Sequence, residues 1–209
     1  ILVLGLTGCA PNLVSYPPAA MNPHVVERWQ NLKLGSQMPS EEYGLALKGV
    51  IEHSKNSTLV YQQKLFPVFN QMHQKYQNKD YDGTDALIAK ARGFNKEWAN
   101  SYLALKNAYE KLSEANKNIS NATIKIKTEQ LVESSKALVE EMLNTINAIR
   151  AFLDITEGYD KARVEMNLSF LTNENEQKFN RLSQSLHQTS NELSKKSTNQ
   201  LNELESLNK

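Results

Sequence analysis

The chain has 209 residues, with 24 Lys+Arg against 23 Asp+Glu and a formal net charge of +1. That balance leaves no basic footprint for nucleic acid and no acidic tail. Hydrophobic content of 40% with 8% aromatic residues supports a core, though a lean one. Four of the 6 Pro lie before residue 24 and none follows Pro67, so the body is almost free of helix breakers. A body rich in Leu, Lys, Glu, Asn and Ser and poor in Gly and Pro has a helical composition.

The first element is the apolar run Ile1-Leu2-Val3-Leu4-Gly5-Leu6, followed by Thr7, Gly8 and Cys9. Eight residues reach roughly 12 Å as a helix, against about 30 Å for a hydrocarbon core, so the run is not a transmembrane helix. It reads as the end of a signal-peptide h-region with a small-residue cleavage site, residues 1–8 being its remnant. Leu6-Thr7-Gly8-Cys9 resembles the lipobox of bacterial lipoproteins: Leu, a small residue, Gly or Ala, then Cys. The resemblance implies diacylglycerol transfer to the Cys9 sulfur, cleavage between Gly8 and Cys9, and acylation of the new terminus. It also implies a cell-envelope location, and Ala10 in place of Asp after the cysteine favours the outer membrane. The chemistry suits the residues, because a thiolate is a strong nucleophile and small neighbours admit a protease to the backbone. Cys9 is the only cysteine, so no intramolecular disulfide exists. Stable anchoring takes at least two lipid chains, which a triacylated Cys9 supplies. The competing reading is a core cysteine in a cytosolic chain.

Residues 9–40 are expected to form the lipidated N-terminus and a disordered tether, because Pro11, Pro17, Pro18, Pro23, Gly35 and Pro39 interrupt any apolar period. A flexible chain of about 30 residues spans roughly 30 Å and would lift the body clear of lipid headgroups. Within it, Val25, Val26 and Trp29 are spaced to pack as a short helical turn, with Trp29 as a docking residue.

Residues 41–209 are expected to form an all-α, elongated antiparallel bundle of three to four long helices. The first starts at Ser40, an N-cap residue followed by Glu41 and Glu42 near the positive end of the helix dipole. Its stripe is Tyr43, Leu47, Val50 or Ile51, Ser54, Thr58, Tyr61, Leu65, Val68, Met72 and Tyr76. Pro67 falls inside it and predicts a kink or break near Leu65-Phe66. Residues 78–83 have strong turn chemistry. The second helix opens with Thr84 as N-cap and carries Leu87, Ala91, Phe94, Trp98, Tyr102, Leu105, Tyr109, Leu112 and Ile119. Gly93 beside this stripe suggests a close helix–helix contact. The Asn-rich residues 116–121 read as the next turn, the alternative being one continuous helix. The third stripe is Ile124, Thr128, Leu131, Ser135, Leu138, Met142, Ile146, Ile149, Leu153 and Thr156, ending at Gly158. A fourth helix, from about Tyr159 to Leu207, carries Val164, Leu168, Leu171, Phe179, Leu182, Leu186, Leu193, Leu201 and Leu204. Polar residues at its interior-type positions make it the weakest, and its last two turns are expected to fray. A shared period near 3.5 favours coiled-coil packing.

No catalytic or metal-binding constellation is legible, and no cofactor is expected. His24, His53, His73 and His187 are scattered, with no i, i+4 pair and no Glu-x-x-His. No nucleophile elbow or glycine-rich phosphate loop occurs. Ser-rich helical faces read as solvated. Trp98 and Tyr102 are candidates for a ligand pocket between the second and third helices, the competing reading being core packing. Lys125, Lys127 and Lys136 are diluted by Glu129, Glu133, Glu140 and Glu141 into an ordinary solvated face. The sequence therefore suggests a non-enzymatic, lipid-anchored outer-membrane protein, facing the periplasm or outward. Its bundle would bind a protein partner in the envelope or associate with itself through the last helix. The alternative is a ligand-binding lipoprotein with the aromatic pocket.

Overall fold

The computed structural model describes residues 13, 15–36, 38–164 and 172–207. The lipobox, Cys9, and the stripe positions Leu168 and Leu171 lie outside the described residues, as does the side chain of Val164. Among the described residues the chain is all-α, with α1 Pro23–Asn31, α2 Glu41–Leu59, α3 Phe66–Gln77, α4 Thr84–Lys117, α5 Ala122–Val164 and α6 Asn173–Leu207. A π-turn, Val60–Leu65, joins α2 to α3.

The first long helix forms where its caps and stripe predict. Ser40 Oγ accepts from the Tyr43 amide at 3.1 Å, satisfying one of the free donors of the first turn. Tyr43, Leu47, Val50, Ile51, Ser54, Thr58, Tyr61, Leu65, Val68, Met72 and Tyr76 are all buried. Pro67 does not break the helix. The π-turn ahead of it widens the backbone, with the Phe66 amide bonded to the Tyr61 carbonyl. The proline, which lacks an N–H and crowds the carbonyl four residues back, then sits in the first turn of α3, where a donor is not required.

Residues 78–83 turn the chain, and Gly83 takes a left-handed φ of 70° as the residue before α4. Gly83, not Thr84, is thus the cap; Thr84 is the first helical residue and is buried. Along α4, Ala91, Trp98, Leu105, Tyr109 and Leu112 are buried, with Ile88 taking the place expected of Leu87. Gly93 is exposed and a Cβ there would meet nothing within 4 Å, so no close contact explains it. The turn expected within 116–121 exists, and Asn121 caps α5 by accepting from the Thr123 and Ile124 amides.

α5 does not stop at Gly158; it runs 43 residues, about 64 Å at 1.5 Å each. A helical glycine costs about 1 kcal/mol relative to Ala. That is a small term beside the burial of Phe152, Leu153, Ile155, Tyr159 and Ala162 around it. The fourth helix accordingly starts at Asn173, not near Tyr159, and it remains helical through Leu207. Its last turns are pinned by buried Leu201 and Leu204 and by the Arg28–Glu205 ion pair.

The helices pack in the order α2–α4–α5–α6. The remaining seam, between α6 and the first long helix, is filled by the N-terminal segment, with α1 touching both α2 and α6. Residues 15–36 are therefore a strap on the bundle and not a free tether. Asn22 caps α1, its side chain accepting from the His24 amide at 2.9 Å, and Met21, Val25 and Trp29 point into the core. Pro17, Pro18 and Pro23 and the absent apolar period hid this, because residues 16–21 dock largely through their backbone.

Candidate functional site

α6 carries Ser183, Ser190 and Ser197, spaced by seven residues and all buried. A seven-residue spacing keeps them on one stripe of a helix. Each accepts a hydrogen bond from the strap: Ser183 Oγ from the Tyr16 amide at 2.6 Å, Ser190 Oγ from the Ala19 amide at 2.7 Å, and Ser197 Oγ from Trp29 Nε1 at 3.1 Å. Small side chains let the strap backbone approach α6, and the hydroxyls satisfy donors that a Pro-containing segment cannot pair within itself. His187 Nδ1 donates to the Pro17 carbonyl at 2.6 Å. On the other side, Gln62 Oε1 accepts from the Met21 amide at 3.0 Å and the Tyr61 hydroxyl donates to the Ala19 carbonyl at 2.9 Å. Arg28 closes the strap as a fork on Glu205, at 3.1 and 2.6 Å. These serines were legible only as a polar, solvated face. Their seven-residue spacing, in step with Leu186 and Leu193, was the available signal for a covered groove.

The strap runs parallel to α6. Tyr16 lies at Ser183 and Arg28 at Glu205. Its start is thus near the end of the bundle that holds residues 78–83, the first turn of α4 and the last turns of α5. There Asp160 accepts from the Tyr76 hydroxyl at 3.1 Å and from Thr84 Oγ1. The opposite end gathers the 118–121 turn, the start of α2 and the last turn of α6, tied by Tyr43–Thr128 and Lys127–Ser206 hydrogen bonds.

Three spaces bear on ligand binding, and one, a hollow of about 430 Å³ against α1, is lined by His24, Glu27, Arg28, Lys33 and Glu205 among others. A cleft of about 580 Å³ at the 78–83 end is lined by Asp82, Asp85, Arg92, Glu157 and Lys161 among others. Arg92 bridges Asp154 and Glu157, each at 2.8 Å, and Lys161 reaches Glu157 at 2.9 Å. The Lys161 ammonium first, and Arg92 second, hold the Glu157 carboxyl below the usual carboxylate range, so it is ionised at neutral pH and is no proton donor. No group of three His, Cys, Asp or Glu side chains among the described residues is arranged to hold a metal ion.

The third space lies beside Trp98 and measures about 20 Å³. That is room for a single water, not for a metabolite. Trp98 is buried, donates from Nε1 to Ser57 Oγ at 2.9 Å, and stacks obliquely on Tyr61 with ring centroids 5.2 Å apart. Tyr102 is only half-buried and does not line this space. The structure does not bring the two aromatics together around a cavity. Ser54 Oγ and Gln200 Nε2, both lining it, have no protein partner, as a site for one bridging water requires.

No protein-family model, no curated protein and no solved structure matches the chain.

Proposed function

We propose that this chain is a lipid-anchored, non-enzymatic protein of the bacterial outer membrane whose helical bundle binds or scaffolds a partner in the cell envelope. The observation that carries the reading is Leu6-Thr7-Gly8-Cys9, a lipobox with the only cysteine of the chain at its acyl-accepting position. A packed bundle follows the cysteine almost at once, Leu13 being already packed against the core. No helix among the described residues is long and apolar enough to cross a membrane, so attachment falls to the acyl chains, which contribute about 0.8 kcal/mol per buried CH₂.

The test is fractionation of cells expressing the wild type or Cys9→Ser, with palmitate labelling of both. Labelled wild type in the membrane fraction and unlabelled, soluble Cys9→Ser are the expected outcomes. Equal solubility of the two sinks the anchor and the localisation together. In-cell crosslinking of the acylated protein then reads the partner: a stoichiometric envelope protein supports the binding role, and self-crosslinks alone assign a homo-oligomeric one.

A further inference from the structure

The strap turns a long tether into a short leash. Leu13 packs against the core, and Ser15 is buried near His73, whose proton affinity its backbone raises. Only four residue steps separate Cys9 from Leu13, and a fully extended chain spans at most about 14 Å over four steps. Three residues after Leu13, the strap is fixed through the Tyr16 amide at Ser183 near the 78–83 end. From Ser183 to Leu207, α6 rises for a further 36 Å, about 1.5 Å per residue, toward the far end. The near end lies within the reach of the leash and the far end does not.

Resting on the acylation of Cys9 proposed above, we infer that the end of the bundle formed by residues 78–85 and 157–161 faces the lipid surface. The turn at 118–121 is then the membrane-distal tip. The leash, and not charge, sets this orientation, because the near end mixes Asp82, Asp85 and Glu157 with Lys75, Arg92 and Lys161. Among the described residues the exposed large apolar side chains, Tyr16, Leu45, Leu103, Ile126 and Leu143, are spread over the strap, α2, α4 and α5 and are not gathered on one helix. The end left free to meet a partner is the tip, where Leu45 and Ile126 are 63% and 54% exposed.

The experiment uses the acylated full chain in phosphatidylcholine vesicles that carry a headgroup nitroxide quencher. Because the Cys9 sulfur is occupied by lipid, a second cysteine takes a fluorophore uniquely. Asp82→Cys labels the near end and Ser120→Cys the tip. Flotation with the vesicles reads the anchor, and quenching reads the orientation. Several-fold stronger quenching at 82 than at 120 is expected. Equal quenching, as for a bundle lying flat, or stronger quenching at 120 overturns the orientation while flotation leaves the anchor standing. Failure of the wild type to float overturns the anchor and this inference with it. A third chain, with 20 Gly/Ser residues inserted after Ala10, lengthens the leash by roughly 25 Å. It is expected to float and to lose the quenching at 82. Unchanged quenching shows that the leash does not orient the bundle.

Discussion

Trp29 has no exposed surface, and its indole N–H is satisfied by Ser197. Truncating such a side chain loses both its transfer energy and the space it fills, so Trp29→Ala is expected to cost about 3–5 kcal/mol in a urea melt. Trp29→Phe keeps most of the packing, leaves Ser197 without its donor, and is expected to cost about 1 kcal/mol. Gly93 makes the opposite case. It is an exposed, interior position of α4 with open space where a Cβ would go, so Gly93→Ala is expected to stabilise by about 0.5–1 kcal/mol and raise Tm by about 2–4 °C. A fall in Tm would mean that another residue closes on this glycine. His73 titrates at the root of the strap. Burial holds its imidazole below the ordinary 6.5, against a weaker opposite pull from the Ser15 backbone. A depressed histidine pKa means that the unfolded chain binds the proton more readily. Its contribution is whole above 6.5 and is lost as pH falls through that value toward the folded-state pKa. The urea midpoint is expected to drop between about pH 7.5 and about pH 5.5, and the drop to shrink in His73→Gln. An identical drop in the variant would assign it to other groups.

Helix α4 and the composite α2–α3 were legible because burial repeats every three to four residues along them and little else competes. The cap of α2 was legible because Ser40 sets a short side-chain oxygen in front of free amides, whereas Thr84, expected to cap α4 in the same way, is its first helical residue behind Gly83. The misreadings came where one residue was weighed without its surroundings. Pro67 argues for a break, but a π-turn absorbs it. Gly158 argues for a stop, but the buried side chains on both sides carry α5 through. The Ser183, Ser190 and Ser197 stripe was least legible, because a serine facing solvent and a serine facing a backbone strap look alike in sequence. Its role is open to one substitution. Ser190→Leu places a bulky side chain where Ala19 approaches to hydrogen-bond distance. The expected result is protease cleavage within residues 15–36 at concentrations that leave the wild type whole, with helical circular dichroism nearly unchanged. Protection equal to wild type would show that the strap is held without this contact. The proposed acylation site rests on resemblance alone, since no packing pattern marks such a cysteine.

At the scale of the molecule, the bundle is closed by two segments far apart in the sequence, residues 15–36 and α6. Its long helices pair with near neighbours in the sequence, α2 with α4, α4 with α5 and α5 with α6. The strap pairs with residues about 170 positions away, from Tyr16 with Ser183 to Arg28 with Glu205. Contacts of such separation form late, since a long loop must be closed before they contribute. On a ribosome or at a translocon, residues 15–36 therefore emerge early and wait for the last helix to be made. Throughout that interval Met21, Val25 and Trp29 are without their cover, and under the proposed acylation the Cys9 thiol, six residues upstream of Ser15, would already be open to an acylating enzyme. On the proposed acylation, modification and folding are ordered in time: the lipid would be attached to a slack chain, and completion of α6 would draw that slack in.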